Sequence, residues 1–289
     1  MDEKMRTGIM GIHRGGKLAV TPTVELDTIP QLRMIYTTGV AEVCLHIQKH
    51  PESARDYTMI GNTVCIATNG TAVLGLGSIG AVAGMPVMEG KSVILNKMAG
   101  VGCMPILIES TDADHIVEAL TAIAPTFSAI MLEDIAAPLC FEVEEKLQRR
   151  VSIPVFHDDQ HGTATVVLSA LLSALILTGR NMQTVRTVIN GAGAAGIAIT
   201  RLLSEYGFED IVLCDRKGAL HPGRSDMNGA KAAVAGVTNP GKLTGSLAEV
   251  MRGADVFIGV SGPNLVSQDM VRSMNQSPIV LGLANPVPE

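Results

Sequence analysis

The chain has 289 residues, 47% of them hydrophobic and 17% charged, with a formal net charge of −6. That composition describes a folded, Gly-rich globular chain, and the length exceeds the roughly 100–200 residues of one ordinary core, so two α/β domains are expected. Lysines and arginines are scattered rather than gathered on one face, which argues against nucleic acid as a partner.

The N-terminus, MDEKMRTGIMGIHRGGK, carries charges where a secretory leader needs an apolar core, and none is expected. In IYTTGVAEVCLHI (35–47), Tyr36 precedes a glycine turn that opens an apolar helix. VCIAT (64–68) reads as a strand, and ATNGTAVLGLGSIGAVAGMPVMEGKSVIL (67–95) as a Gly-rich loop that delivers Lys91 to a strand, KSVIL (91–95). MPILI (104–108), FSAIML (127–132) and IPVF (153–156) are further strands, and EVEEKLQRR (142–150) is a polar-faced helix with a Glu142–Lys146 pair. The run TATVVLSALLSALILT (163–178) falls short of the roughly 18 residues a membrane span takes, so a buried helix and hinge between the halves is expected, with no membrane partner. RTVIN (186–190), DIVLC (210–214), DVFIGV (255–260) and PIVLGL (278–283) complete the strands.

Strands separated by segments of helical length imply right-handed βαβ crossovers. The fold class is therefore α/β: an N-terminal α/β domain with a parallel sheet (1–162), followed by a Rossmann-type dinucleotide-binding domain (163–289). The five cysteines, Cys44, Cys65, Cys103, Cys140 and Cys214, are far apart and form no CxxC pair. Reduced, mostly buried thiols in a cytoplasmic protein are the economical reading.

Two constellations carry chemistry. In the second half a strand runs into Gly191-Ala192-Gly193-Ala194-Ala195-Gly196, a helix follows, and a second strand ends at Asp215, nineteen residues past Gly196. Glycines suit a tight turn that lets a pyrophosphate approach the backbone, while the helix N-terminus offers free N–H groups. A turn that merely packs helix on strand is the weaker alternative. Asp215 would accept the ribose hydroxyls and so favours NAD, with NADP close behind because Arg216 and Lys217 beside it would attract a 2′-phosphate.

In the first half, one strand ends at Glu133-Asp134 and the next at Asp158-Asp159, with one helix between them, which brings both acid pairs to the same carboxyl edge of a sheet. Four acids there repel unless protons or a cation neutralise them, and all-oxygen ligation suits Mg²⁺ or Mn²⁺. Either pair alone would suggest only a helix cap or solvated strand ends. Both together favour a metal, with His157 and His161 as polar neighbours.

In this order and across most of the chain, YTTGVA, NGTAVLGLGSIG, PVMEGK, LEDI, PVFHDDQHGTA, NGAGAAG, CDRKG and LANPVPE resemble the malic enzymes, in particular their short microbial branch. The resemblance implies binding of malate, NAD(P) and a divalent metal, oxidative decarboxylation of (S)-malate to pyruvate and CO2, and a homodimer or higher homo-oligomer. It implies Lys91 as the base for the C2 hydroxyl, Tyr36 as the acid that protonates the enolpyruvate carbon, and Glu133, Asp134 and Asp159 as metal ligands. It further implies Asp158 as the acid that orients the lysine, and Asn285 beside the nicotinamide and substrate.

Three departures accompany it. Thr38 stands where the family usually has proline, and Ala72 where larger eukaryotic relatives have arginine. The sequence also stops at NPVPE where relatives run on, so a C-terminally truncated enzyme of weak or no activity is expected, with PIVLGL left as an exposed edge. Two alternatives stand beside the leading reading: a malolactic enzyme that releases lactate, and a non-catalytic nucleotide-binding or assembly module derived from a malic enzyme.

Overall fold

The computed structural model describes residues 2–73 and 75–289. The chain divides into two compact units, one of Met1–Thr71, Ser78–Glu133 and Val143–Val155, the other of Ala72–Gly77, Asp134–Glu142 and Phe156–Glu289.

Three helices lead the chain, α1 (Glu3–His13), α2 (Ile29–Ile35) and α3 (Val40–Lys49), and none buries a residue. α2 starts where it does because Thr28 and Gln31 form a capping box with a proline in the first turn. After α4 (Ala54–Tyr57) come β1 (Thr63–Thr68), α5 (Ala81–Ala99), β2 (Gly102–Leu107), α6 (Ala113–Ile123), β3 (Ala129–Leu132), α7 (Leu139–Arg150) and β4 (Val155–His157). The strands form one sheet in the order β2-β1-β3-β4, with β1 parallel to both β2 and β3. α6 begins at Asp112, whose carboxylate accepts the His115 N–H, and buries Ile116, Val117 and Leu120.

One expected strand is corrected. KSVIL and the stretch of the expected Gly-rich loop from Ala81 onward both lie inside α5, so Lys91 is a helical residue. Gly84, Pro86 and Gly90 read as breakers, yet Ala81, Gly84, Met88 and Ser92 recur at helical spacing and are buried as one face. Tertiary packing of that face overrides the β propensity of Val93 and Ile94.

The second unit contributes α8 (Asp158–Thr178), β5 (Arg186–Asn190), α9 (Ala194–Tyr206), β6 (Asp210–Asp215), β7 (Gly218–Ala219), α10 (Gly229–Val237), α11 (Leu247–Val250), β8 (Val256–Gly259), α12 (Gln268–Arg272) and β9 (Ile279–Gly282). Its sheet runs β7-β6-β5-β8-β9, parallel throughout except for the short antiparallel β7. Chain order reverses direction at β5, so the turn after β5 stands at the topological switch point where α/β sheets bind ligands.

α8 is longer and less buried than the sequence suggests. It begins at Asp158, so a domain boundary after residue 162 would cut it, and at 21 residues it is long and apolar enough to cross a membrane by length and composition. Only a stripe of Gln160, Ala164, Val167, Leu171 and Leu175 is buried. The four apolar members pack in one core with Ile189, Ile197, Leu203 and Ile258, while Val166, Ile176 and Leu177 face outward. β9 is an outer strand, with Val280 and Leu283 exposed.

Candidate active site

The turn after β5 shows why its residues are glycines. A Cβ at Gly196 would stand 1.6 Å from the Gly191 carbonyl oxygen, and Gly191 itself has φ +122° with the Val260 carbonyl oxygen 2.6 Å from where its Cβ would be. No side chain fits either place. Gly193 differs: nothing lies within 4 Å of a Cβ built there, and it caps α9 without any side-chain hydrogen bond. Ala194, Ala195 and Gly196 therefore open the helix with its N-terminus uncapped, beside open space at Gly193, as a bound pyrophosphate requires. The residues present fit a dinucleotide.

Asp215, at the end of β6, is heavily engaged. Its Oδ1 accepts from Arg224 Nη1 at 2.9 Å and from the Lys217 backbone N–H at 2.9 Å. Its Oδ2 accepts from Arg224 Nη2 at 3.2 Å and Lys231 Nζ at 2.7 Å. Burial alone would raise this carboxyl, but the hydrogen bonds from Arg224, Lys231 and Lys217 outweigh it and hold the pKa at about 2.

At the carboxyl edge of the first sheet, β3 delivers Glu133 and Asp134, and β4 runs into Asp158 and Asp159 at the start of α8. One carboxylate oxygen from each of Glu133, Asp134 and Asp159 lies within 4.8 Å of the others. Glu133 and Asp134 are buried, and the Asp134 N–H donates to Asp159 Oδ2 at 3.0 Å. Asp134 has φ +54°, a left-handed conformation costing about 1 kcal/mol that aspartate tolerates better than most residues. Lys91 Nζ, reaching from α5, lies 3.0 Å from Glu133 Oε1. Three carboxylates against one ammonium leave these four groups at a formal −2, which a divalent cation would cancel. An all-oxygen donor set of this kind fits Mg²⁺ or Mn²⁺.

The buried His157 sits with Nε2 3.6 Å from Asp159 Oδ2. Asp158 occupies the first turn of α8, and its Oδ1 lies 2.3 Å from where a Gly162 Cβ would be, so Gly162 makes room for that carboxylate. Tyr36 ends α2, is 68% exposed, and no hydrogen bond joins its hydroxyl to Lys91 or to the carboxylates. Asn285 is also exposed, with its carbonyl oxygen 3.5 Å from where a Gly75 Cβ would stand in the Gly-rich loop. The same loop is tied to the acid cluster by the Ala72 N–H, which donates to the Asp134 carbonyl at 2.9 Å.

Residues 16–113 match the family model of the malic enzyme N-terminal domain, and residues 160–289 match that of the malic enzyme NAD-binding domain. The chain belongs to the malic enzyme family. It is 50% identical over 288 residues to the bifunctional malic/malolactic enzyme of Bacillus subtilis (strain 168), covering 99% of this chain and 70% of that protein. It is 47% identical to the NADP-dependent malic enzyme of Escherichia coli (strain K12), where it spans 38% of the relative's length. The crystal structure of the NAD-dependent malic enzyme from Thermotoga maritima superposes with a TM-score of 0.93 at 38% identity, over 100% of this chain and 76% of that one.

For a malic enzyme read from sequence, the structure gathers Lys91, Glu133, Asp134 and Asp159 into one cluster and leaves Tyr36 outside its hydrogen bonding. Arg224 and Lys231, the partners of Asp215, were missed. A signal existed, since both cations follow the strand-terminal acid within a single turn-and-helix segment, GRSDMNGAK.

Proposed function

We propose that this malic enzyme chain oxidatively decarboxylates (S)-malate to pyruvate and CO2, with NAD or NADP as hydride acceptor and Mg²⁺ or Mn²⁺ held by Glu133, Asp134 and Asp159. The observation that carries the reading is the Lys91 ammonium lying 3.0 Å from Glu133, itself a member of the three-carboxylate cluster. When bound, the divalent cation supplies a Lewis acid for the C2 oxygen of malate and the nicotinamide supplies the place for the C2 hydride.

The chain's own groups do the rest. Lys91, whose neutral amine is favoured when a divalent cation is held on the same carboxylates, takes the C2 hydroxyl proton at Nζ as the hydride leaves C2. The C3–C4 bond then breaks, CO2 departs, and the bond's electron pair forms the C2–C3 double bond while Lys91 gives its proton back to the C2 oxygen, leaving the enol. The Tyr36 hydroxyl gives its proton to C3 as Lys91 takes up the enol proton, which yields pyruvate and leaves Tyr36 to be reprotonated from water. Asp158 orients Lys91, the glycine turn at 191–196 receives the pyrophosphate on its N–H groups, and Asn285 flanks nicotinamide and substrate.

Malate-dependent absorbance at 340 nm with Mn²⁺ and each dinucleotide tests the proposal, with Lys91→Ala expected to abolish turnover while Mn²⁺ still binds by calorimetry. A chain that binds Mn²⁺ and dinucleotide yet reduces neither would overturn it. The relative named a bifunctional malic/malolactic enzyme favours a second reading, in which lactate is released, and assaying lactate against pyruvate separates the two. The proposal includes a cytoplasmic homo-oligomer: five free thiols suit a reducing compartment, and α1 and α2 expose Met5, Met10, Ile12 and Met34, surface of a kind a second copy covers. Light scattering on the purified chain tests the assembly.

A further inference from the structure

The cofactor preference can be read from the network around Asp215, given the dinucleotide role proposed for the 191–196 turn. A NAD-selective site needs a strand-terminal carboxylate with lone pairs available to the ribose hydroxyls. An ionised carboxylate offers about four such positions. At Asp215 two are filled by Arg224, one by Lys231 and one by the Lys217 backbone N–H.

Arg224 is not free to leave. Its side chain is 10% exposed, its Nε and Nη2 donate to Asp226 at 2.9 Å each, and its Nη1 reaches the carbonyls of Gly218 and Ala219 at 3.2 and 3.3 Å. Lys217 Nζ also pairs with Asp226, at 2.9 Å. Arg216 differs from its neighbours: it is exposed, and its side chain has no hydrogen-bond or ion-pair partner among the described residues. Four cations, Arg216, Lys217, Arg224 and Lys231, thus face two anions, Asp215 and Asp226. A 2′-phosphate brought here meets a net positive surface and one unengaged guanidinium suited to bidentate phosphate binding.

We propose that this site selects the 2′-phosphorylated dinucleotide, NADP, with Arg216 meeting the 2′-phosphate and Arg224 acting as a positioning residue that withholds Asp215 from the ribose.

Calorimetric titration of the purified chain with NADP⁺ and with NAD⁺, without malate, tests this apart from turnover. NADP⁺ is expected to bind at least about tenfold more tightly, the worth of one charge-assisted phosphate contact. Arg216→Gln should erase that difference by weakening NADP⁺ alone. Because the Arg224 side chain is only 10% exposed and holds both acids, Lys231→Met, at a side chain 22% exposed, is the safer second variant. It returns one Asp215 lone pair and should narrow the ratio by strengthening NAD⁺. Equal or tighter binding of NAD⁺ to the unaltered chain overturns the proposal, as does an Arg216→Gln chain that keeps its NADP⁺ preference or weakens both ligands alike. Binding of neither dinucleotide would refute the role of the glycine turn, and this inference with it.

Discussion

Asp159→Asn separates a metal ligand from a structural acid. In the metal-free chain, asparagine keeps an oxygen to accept the Asp134 N–H, so the loss is that of a charge-assisted bond becoming a neutral one, about 1 kcal/mol. Against this stands relief of repulsion. Carboxylate oxygens within 4.8 Å repel by about 3 kcal/mol per pair at an effective dielectric near 20, and with the Asp159 side chain 35% exposed, screening reduces its two pairs, with Glu133 and with Asp134, to about 1 kcal/mol together. The two terms nearly cancel, so in EDTA the variant should melt within about 3 °C of the unaltered chain. Mn²⁺ tells them apart. At a concentration 100 times its Kd the metal stabilises the unaltered chain by about 2.7 kcal/mol, or roughly 5–10 °C. With affinity lowered about 100-fold, the variant should gain only about 1 °C in the same scanning fluorimetry. An undiminished Mn²⁺ shift would show that Asp159 is not a ligand. A fall of more than about 10 °C in EDTA would show instead that its role is structural.

Asp158→Asn should leave the Mn²⁺ shift in place and lower kcat in the malate assay, and an equal loss of the shift in both variants would mean that the aspartates share ligation. Gly196→Ala forces the β5–α9 turn to move away from the Gly191 carbonyl, so dinucleotide binding should vanish and urea unfolding should register a loss of about 1–3 kcal/mol; retained binding would contradict the packing read at that glycine. The Asp215 carboxyl is held at about 2, below the ordinary value near 4, so the stability it contributes is full above pH ~4 and lost as pH falls toward 2. The stability gap between the unaltered chain and Asp215→Asn should therefore close over that window in urea titrations, and a gap that widens on acidification would reverse the sign of the argument. Burial pushes the Cys65 and Cys214 thiols up to about 12, so a thiol reagent at pH 8 should label the exposed Cys44 in the native chain and reach those two only after unfolding.

Local requirements made much of the second unit legible. The 191–196 turn can be read from sequence because Gly191 takes a positive φ and Gly196 answers to the Gly191 carbonyl within the same turn, and β5 and β6 because short β-branched runs flank it. The pairing of Glu133-Asp134 with Asp159 was legible for a related reason: two strands joined by one helix leave little choice about which edge of the sheet they share.

What the sequence hid depends on partners distant along the chain or on a face that only packing reveals. KSVIL has the β-branched content of a strand, yet Met88 and Ser92 are buried with Ala81 and Gly84 on one helical face, and that burial outweighs local propensity. The apolar run at 163–178 could not show that just one stripe would meet the core. The acid at Asp215 is plain in the sequence, but its availability is not, because Arg224 and Lys231 reach it from nine and sixteen residues away. Amino-acid order by itself determined the family, the α/β class and the positions of the acids and glycines, since each rests on spacing and backbone freedom. Tertiary structure alone decided which of those acids is already neutralised, because a charge's partner is set by where side chains end and not by where they begin.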